Sequence, residues 1–597
     1  MIPGGFVVLS IALCVLALLA AARGLVRHNT WYLASDQFAF LTFADDLLRG
    51  RVFHDPATTA LLAGPRAREG VSLDAYYQTY IWRDGALYSR YPPGFPALLA
   101  LAKLLGGETA QHWLNPVLYL VLLALVARLG WKLAWSSPAT RLAAAVASIW
   151  ALLVIPIEVH YWGITVARDL PAHLLALSAL LAALGGHAGR AGLGLGLAAS
   201  IRPDAALWAV SIGPALRSAP DRGSTLRGLL GFALGTLPLF AYNTITQGHP
   251  FSFTQGSEFR WLFVSGGHMA QASLLGAVSL VSGGAFRLAN FPATFPAHVR
   301  YLATGFGAFL VLALGTLGVG IARRRPIAPA LGPYAFIAFL FYSCWGHGDP
   351  RYLVGVSLCL IILAAVGAAE LAAFVADAGV PWQRRALLVG AAVVATLAFD
   401  AWVPRDPARG LTALERAVTA AIVLAGALPL LPVGRRLAGW APIVPALAFA
   451  SFGMARLLGA QGGYDSFQAE QIARARAAVE SLVPAGSIVL TSPALGRPAE
   501  NITHYTHADA HYVGELKLLF SSADLALARC GLNGRRLFLL LGAAEPLPFK
   551  FPRQWWSASE VARRTGDALR DWFVDPRRVP EGAVLYEATM SPILLRR

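Results

Sequence analysis

Asp36 is the first residue of this chain whose type and position could do chemistry. It lies in residues 31–50, a segment that follows directly on the first long apolar run and has the pattern of an amphipathic helix. A carboxylate held beside a membrane can act as a general base toward a hydroxyl group. The alternative is structural, because Ser35 or Asp36 could cap the helix that continues to Leu48.

The same helix carries bulky apolar side chains, which predicts that it lies flat at the membrane interface. These side chains are Phe38, Phe40, Phe43 and Leu47. Asp45 and Asp46 follow on the later turns beside Arg49, and we expect them to form the solvated face of the helix.

A second candidate region is rich in aromatic residues and precedes the next apolar run. Six aromatic residues fall between Tyr76 and Tyr91, and Arg83-Asp84-Gly85 predicts the turn of a hairpin among them. The rings could form an anchoring belt at the interface or a surface on which a sugar stacks. Arg90-Tyr91-Pro92-Pro93-Gly94 then leads into the apolar run, where proline suits the start of a helix.

A third candidate region is Gly346-His347-Gly348-Asp349-Pro350-Arg351-Tyr352, in which Arg351 opens a long apolar segment. A charge at the end of a span often reaches back to the interface. Beside His347 and Asp349, Arg351 could instead bind a phosphate through its fork of donors.

Arg202-Pro203-Asp204 divides the apolar residues 192–212 into two halves. An ionisable pair at membrane depth is costly, so either the helix breaks at an interface or this segment lines a cavity.

The elements that must position these residues are membrane helices. Of the 597 residues, 56% are hydrophobic and only 14% are charged, far below the share in a soluble protein. Apolar runs of near-spanning length recur up to position 458, which predicts about 11–13 spans. Residues 94–105 form a short segment, and residues 301–322 read as one continuous span. No basic region precedes the first run, which therefore does not resemble a signal peptide.

The net charge of +16 comes largely from arginines in short loops, a pattern typical of cytoplasmic loops rather than of nucleic-acid binding. Arginine clusters at 323–325, 384–385 and 435–436 are separated by two spans each. They place residues 27–91, residues 243–300 and the C-terminal region outside. Only four of the 49 basic residues are lysine, which indicates a GC-rich bacterial genome and hence the plasma membrane.

From about residue 461 the pattern changes to alternating helices and short apolar strands. Helices are predicted near 465–483 and 555–573, and strands at 486–491, 536–541 and 583–588. This pattern predicts a soluble α/β domain with a parallel sheet over 461–597, after a membrane domain over 1–460. Four cysteines without a Cys-x-x-Cys pair support neither a zinc site nor a disulfide framework. His504, His507 and His511 have the spacing of a helix face as much as of a metal site.

The ordered set of motifs resembles the GT-C glycosyltransferases that use polyprenyl-phosphate sugars, among them the protein O-mannosyltransferases and aminoarabinose transferases. The resemblance covers the chain to about residue 375. The matching marks are Ser35-Asp36-Gln37, Tyr91-Pro92-Pro93-Gly94-Phe95-Pro96, Ile201-Arg202-Pro203-Asp204, Tyr242-Asn243 with Gly248-His249-Pro250-Phe251, and Asp349-Pro350-Arg351-Tyr352.

The resemblance implies a sugar donor linked to a polyprenyl phosphate and a glycan, lipid or protein acceptor that enters from the outside. Asp36 would be the catalytic base, and inversion would follow from a single displacement. The candidate substrate-binding residues are Arg90, Tyr91, Arg202, His347, Asp349 and Arg351. Many members have two adjacent acids where this chain has Asp36-Gln37, so no cofactor is firmly implied and a divalent metal is left open.

Two other functions fit a polytopic chain. A transporter or flippase of lipid-linked sugars would show internal repeats, and none is evident in the sequence. A non-catalytic membrane scaffold with an external binding domain would dispense with Asp36 and Arg351 together.

Overall fold

The computed structural model describes most of the first 460 residues and selected segments of the remainder. The described ranges are 3–28, 35–54, 80–83, 86–89, 91–155, 166–217, 223–248, 250–251, 286–345, 350–377, 379–402, 411–427, 438–459, 477, 481–484, 487–491, 509–512, 537–541, 573–578 and 584–588. For a few positions within these ranges only the backbone is described.

The described part of residues 1–460 is predominantly helical. Its helices are α1 (Gly4–His28), α2 (Ser35–Leu48), α3 (Gly94–Leu133), α4 (Pro138–Val154), α5 (Asp169–Leu184), α6 (Ala188–Ile201), α7 (Ala209–Arg217), α8 (Gly223–Gln247), α9 (Phe291–Phe306), α10 (Ala308–Ala322), α11 (Ile327–Ser343), α12 (Val354–Ala376), α13 (Trp382–Trp402), α14 (Leu411–Ala427) and α15 (Val444–Gly459). Short 3₁₀ turns lie at Pro203–Trp208, Leu288–Asn290, Pro350–Leu353 and Ala438–Ile443.

The apolar helices make this a multi-pass membrane protein. Within the described ranges, four helices are long and apolar enough to cross a membrane, or five if a bent pair is counted as one span. Four shorter apolar helices accompany them, at Pro138–Val154, Asp169–Leu184, Ile327–Ser343 and Ala438–Met454. The expected total of about 11–13 spans therefore stays a prediction.

Helix α12 is the centre of the packed region. Its apolar residues are buried along almost the whole of its length, so it contacts protein rather than lipid. Its single acid, Glu370, accepts hydrogen bonds from the backbone N–H groups of Trp135 (2.6 Å) and Ser136 (3.0 Å) and from the Ser136 hydroxyl. The carboxylate thereby satisfies donors in the short connection between α3 and α4, which would otherwise be left unpaired.

Helix α3 joins two segments that the sequence separates. The predicted short segment, residues 94–105, and the apolar residues that follow it lie in one 40-residue element. This element is kinked at Gly106 and Gly107, whose backbone angles are not helical. Gly107 has a φ of 67°, a conformation that glycine adopts without strain. The short first segment is therefore a helix in its own right, and it ends at this pair.

The prediction of one continuous span over residues 301–322 is wrong. The chain bends by 101° between Leu288–Phe306 and Ala308–Ala322. The bend is at Gly307, which has a φ of 55°. Glu415 of α14 accepts a hydrogen bond from the N–H of Ala308 at 2.9 Å, which supplies a partner for the first donor after the bend. Hydropathy does not register such a bend, because both arms are apolar.

Helix α2 has the predicted bounds but faces the protein. Phe40 and Phe43 are buried. The Phe40 ring lies edge-on to Tyr91 (4.7 Å between centroids) and to Phe95 (5.2 Å), and Phe43 lies 5.4 Å from Tyr242. The expectation that Phe40 and Phe43 face the membrane is wrong, because these rings pack against α3 and α8 instead. The position of α2 at the membrane interface stays a prediction.

The two acids at the end of α2 also differ from expectation. Asp46 is only 1% exposed, so it is not part of a solvated face. Asp45 is partly exposed and pairs with Lys103 of α3 at 2.7 Å. The pair ties the end of α2 to the first half of α3.

The predicted hairpin is confirmed in the described backbone. Strand β2 (Tyr80–Arg83) pairs antiparallel with β3 (Ala86–Ser89), and β1 (Phe53–His54) adds to the other edge of β3. One hydrogen bond attaches the end of β3 to α8, because the Tyr242 hydroxyl donates to the Ser89 carbonyl (2.6 Å). A local hydrogen bond, from the Tyr91 N–H to the Ser89 hydroxyl (3.1 Å), follows directly after the strand.

Beyond residue 460 the described elements are five strands in one mixed sheet. They are β4 (Ile488–Thr491), β5 (Asp509–Tyr512), β6 (Leu537–Leu541), β7 (Phe573–Arg578) and β8 (Val584–Ala588), in the order β5-β4-β6-β8-β7. The three predicted strands are present, but the sheet is not purely parallel. Strand β4 is parallel to β5 and β6, whereas β8 is antiparallel to β6 and β7. The helices predicted at 465–483 and 555–573 lie almost entirely outside the described residues.

Candidate functional site

The site begins at the break between α6 and α7, where the sequence places Arg202-Pro203-Asp204. Helix α6 ends at Ile201, Arg202 is extended (φ −139°, ψ 112°), and Pro203 starts a 3₁₀ turn. Proline has no backbone N–H to donate to a helical carbonyl, and it disfavours the helical conformation of the residue before it. Both effects explain why α6 ends here. The break was predicted, and it turns two charged side chains into the protein.

A close backbone contact joins this break to the start of α3. A methyl group on Gly94 would lie 2.6 Å from the Ser200 carbonyl oxygen and 2.9 Å from the Ile201 nitrogen. Only glycine permits this approach. The Pro-Pro-Gly motif and the Arg-Pro-Asp motif, which are 108 residues apart in sequence, therefore meet in the fold.

A buried ion cluster occupies the break. Arg202 donates to the carboxylate of Asp169, from the first turn of α5, and to that of Asp204 (Nη2 to Oδ2 2.5 Å, Nε to Oδ1 3.1 Å). The Tyr342 hydroxyl from α11 donates to Asp204 and lies 3.3 Å from Arg202 Nη2. The side chains of Arg202 and Asp169 are only 4% and 8% exposed, so these charges are stabilised by one another and not by water.

The segment before α5 is held by α3. The Asn115 side-chain amide donates to the Ala167 carbonyl at 2.7 Å. This contact places Arg168 and Asp169 at the mouth of the site. The Arg168 guanidinium lies over the Tyr91 ring, 4.9 Å from its centroid, and 5.9 Å from that of Phe40, which is the geometry of a cation–π contact.

The Pro350–Leu353 turn closes the opposite side. The Tyr352 ring stacks on Tyr342 at 5.4 Å. The guanidinium groups of Arg351 and Arg202 lie 5.2 and 5.8 Å from the centroid of the same ring. Stacking on aromatic faces restricts the rotamers of an arginine and leaves the edge of its guanidinium available for hydrogen bonds.

A further aromatic cluster lies beside the ion cluster. Trp208 stacks on Tyr334 at 3.7 Å, and its indole N–H donates to Nδ1 of His173, one turn after Asp169 on α5 (3.3 Å). A methyl group on Gly355 would lie 2.2 Å from the Tyr334 hydroxyl. Helices α5, α11 and α12 therefore pack closely against one another next to the site.

These groups surround one pocket. It is lined by Gln37, Phe40, Ala167, Arg168, Asp169, Arg202, Arg351 and Tyr352. The space between its lining atoms amounts to about 310 Å³, counting the part open to solvent. Three arginines and one acid line it, so its chemistry suits an anion.

The pocket brings together some of the site residues predicted from the sequence. Arg202 and Arg351 line it, and the Tyr91 ring packs against Arg168 of the lining. Asp36 lies in the first turn of α2, directly before Gln37. Arg90, His347 and Asp349 lie outside the described residues.

Sequence reasoning missed Arg168 and Asp169. Neither residue is among the candidates that the sequence motifs gave, although both lie at the start of the apolar helix α5. The available signal was a charged pair directly before an apolar helix, the same signal that marked Arg351. The partner of Asp169 is 33 residues away and gave no local sign.

Comparison with known proteins identifies the architecture. No protein-family model and no curated protein matches the sequence. Among solved structures, the chain is similar to ArnT from Cupriavidus metallidurans in two states. The crystal structure bound to undecaprenyl phosphate has a TM-score of 0.51 at 16% identity, and the apo structure has a TM-score of 0.50 at 16% identity. Each match covers 98% of both chains. The prediction of a GT-C fold is thereby confirmed.

Proposed function

We propose that this chain is a membrane glycosyltransferase that moves a sugar from a polyprenyl-phosphate donor to an acceptor hydroxyl on the extracytoplasmic side. The observation that carries the proposal is the arginine-rich, aromatic-walled pocket beside the start of α2. It occurs in a chain with the fold of ArnT, a protein whose structure contains undecaprenyl phosphate. An anion-binding pocket next to a carboxylate-bearing helix suits a donor whose leaving group is a lipid phosphate.

In the proposed reaction Asp36 is the general base. It accepts the proton of the acceptor hydroxyl while the oxygen attacks the anomeric carbon. The bond from that carbon to the phosphate oxygen breaks, and the polyprenyl phosphate leaves with the electron pair. A single displacement of this kind inverts the anomeric centre. Support for the assignment comes from the position of Asp36 in α2, one residue before Gln37 of the pocket lining.

The remaining candidates serve the donor. Negative charge builds up on the phosphate as the bond breaks, and fixed cations stabilise it. Arg351 lines the pocket and is proposed for this role, together with Arg90 and His347. The Tyr91 ring supports Arg168 of the lining, Arg202 contributes the buried part of the lining, and Asp349 precedes the turn that carries Arg351.

Sidedness and domain organisation belong to the same proposal. We assign residues 1–460 to a membrane domain in a bacterial plasma membrane and residues 461–597 to an extracytoplasmic α/β domain. The separation of the arginine clusters by helix pairs supports the orientation, and the mixed sheet of β4–β8 supports the second domain.

The test is sugar transfer by purified full-length protein in detergent or liposomes. A panel of undecaprenyl-phosphate hexoses and pentoses is offered, and release of undecaprenyl phosphate is measured with and without extracts that contain acceptors. Asp36→Asn should reduce turnover by about 10²–10⁴-fold, the usual contribution of a general base. Asp45→Asn, on the same helix but outside the pocket, is the matched control and should keep its activity.

Full activity of Asp36→Asn would refute the assignment of the base. Movement of intact donor across liposome membranes without release of undecaprenyl phosphate would identify a flippase instead of a transferase.

A further inference from the structure

Two short basic segments lie at the end of the helices away from the pocket. The first, residues 323–326, precedes α11, whose other end carries Tyr342 of the ion cluster. The second, residues 377–385, follows α12, which starts directly after the Pro350–Leu353 turn of the pocket, and includes the first turn of α13. Helix α10, which ends at the first segment, contacts α13, which starts in the second. The two basic segments therefore lie side by side.

The arginines of these segments make no ion pair with any acid in the described part of the chain. Asp377 is the one acid of the two segments, and its carboxylate accepts a hydrogen bond from the Gly379 N–H at 2.9 Å. The one position of these segments outside the described residues is Ala378, which carries no charge. The basic side chains are Arg323, Arg324, Arg325, Arg384 and Arg385.

Two of these arginines also have unsatisfied donors. Within the described residues, Nε of Arg325 and both Nε and Nη1 of Arg385 are buried and have no hydrogen-bond partner. Buried polar groups are nearly always paired, and an unpaired one indicates that an acceptor such as an ion belongs beside it. The donors of both segments are therefore available to an anionic ligand.

Arg324 has a backbone conformation that glycine would adopt with less strain. Its φ is 51°, and it is the one non-glycine residue with a positive φ in the described ranges. The Arg325 N–H donates to the Gly320 carbonyl (2.7 Å), and the Arg324 N–H donates to the Ile321 carbonyl (3.1 Å). These two hydrogen bonds form the Schellman motif that ends a helix, in which the left-handed position is usually glycine. A side chain there costs stability, and such strain is typical of functional positions.

Exposed apolar side chains adjoin the arginines on both helices. Ile321 in the last turn of α10 is 64% exposed, and Trp382 and Leu387 in the first turns of α13 are 65% and 72% exposed. In a membrane protein such side chains contact lipid, and tryptophan is enriched where the acyl chains meet the headgroups. A ligand that has both a phosphate and acyl chains matches the arginines and these apolar side chains together, whereas a soluble anion matches the arginines alone.

We propose that the two basic segments form a binding site for a phospholipid with a net negative headgroup, in which Arg324, Arg384 and Arg385 contact the phosphate. Arginine binds two oxygens of a phosphate at once through its planar fork, and basic pockets between membrane helices bind headgroups of this kind. The site lies at the opposite end of α11 and α12 from the pocket and is independent of the reaction proposed there. Lipid binding gives a reason for an arginine, and not a glycine, at the strained position after α10.

The experiment uses full-length protein in a neutral detergent, to which phosphatidylglycerol, phosphatidylcholine or inorganic phosphate is added. Native mass spectrometry counts the bound lipid over a titration, and the melting temperature is measured with and without each probe. The variants are Arg324→Gly and the double variant Arg384→Gln/Arg385→Gln. Arg190→Gln is the matched control, because Arg190 is exposed at the start of α6, also far from the pocket but outside the two segments.

We expect each arginine removed to weaken phosphatidylglycerol binding about 5-fold, and the double variant about 25-fold, from the contribution of one basic residue near an anionic surface. Without lipid, Arg324→Gly should raise the melting temperature, because glycine adopts the left-handed conformation without strain. The same variant should nevertheless bind phosphatidylglycerol more weakly. A purely structural role of Arg324 cannot produce these two opposite effects. Arg190→Gln should bind the lipid as the wild type does.

Four results would overturn the proposal. Wild-type protein that binds phosphatidylcholine as tightly as phosphatidylglycerol has no site for a negative headgroup. An equal loss of binding in Arg190→Gln and in the double variant means general attraction to a basic surface. Stabilisation by inorganic phosphate equal to that by phosphatidylglycerol assigns the site to a soluble anion. Unchanged lipid binding by Arg324→Gly and by the double variant removes the arginines from the site. Sugar transfer is measured separately, so each of these results leaves the proposed function in place.

Discussion

Removing the Arg202 guanidinium should destabilise the protein far more than removing any exposed charge. The Arg202→Gln variant takes away the cation that the carboxylates of Asp169 and Asp204 share. Asp204 keeps the hydroxyl of Tyr342 as a partner, whereas Asp169 loses its charge partner in the described cluster.

The magnitude follows from burial. With only 4% and 8% of the Arg202 and Asp169 side chains exposed, water cannot replace the lost partner. Breaking one side of a buried pair costs about 3–5 kcal/mol. The Lys103–Asp45 pair provides the contrast, because its side chains are 27% and 26% exposed and such pairs contribute about 0–1 kcal/mol. Lys103→Gln is therefore the matched control.

The assay is unfolding by sodium dodecyl sulfate in mixed micelles, followed by tryptophan fluorescence. The triple variant Asp169→Asn/Arg202→Gln/Asp204→Asn removes all three charges and should recover much of the stability lost by Arg202→Gln, since no buried charge is left uncompensated. A loss for Arg202→Gln no larger than that for Lys103→Gln would refute the burial of the cluster. A triple variant less stable than Arg202→Gln would refute uncompensated charge as the cause.

Two further predictions concern the scaffold, measured by the same assay. Gly94→Ala should reduce the free energy of unfolding by about 1–3 kcal/mol, because its methyl group would lie 2.6 Å from the Ser200 carbonyl oxygen. The matched control is Gly213→Ala, which has open space around it and should be neutral or stabilising. Equal effects of the two substitutions would contradict the close approach of α3 and α6. Glu370→Gln should cost about 1–3 kcal/mol, because the backbone donors of Trp135 and Ser136 lose a charged acceptor whose side chain is buried. Asp377→Asn, whose backbone contact is exposed, should change little. A smaller loss for Glu370→Gln than for Asp377→Asn would refute this capping role.

Local patterns in the sequence were sufficient for several elements. The bounds of α2, the hairpin around Arg83 and the break at Arg202 follow from short-range signals: periodicity, turn residues and proline. The glycine pair at Gly106 and Gly107 separates two apolar segments in both sequence and structure. In each case the cause lies within a few residues of the effect.

The remaining features depend on distant partners. The orientation of α2 depends on whether lipid or protein meets Phe40, and its pattern alone is the same in both cases. The bend at Gly307 lies between two apolar arms, so hydropathy shows one span. Asp169 meets Arg202 across 33 residues and Tyr342 meets Asp204 across 138, and a single sequence contains no signal for pairs of this kind.

The candidate site residues nevertheless share one property in the sequence. Asp36, Arg168, Arg202 and Arg351 all lie where an apolar helix begins or breaks. Irregular backbone at membrane depth is stable only if it is buried in protein or lines a cavity, so charged residues at such points converge on shared pockets. Arg323 also follows an apolar helix, but it is exposed and belongs to a basic loop. A charged residue at the end of a helix is therefore a site candidate when the starts or breaks of other helices lie next to it. The contact at Gly94 is an example, because it brings the start of α3 to the break beside Arg202.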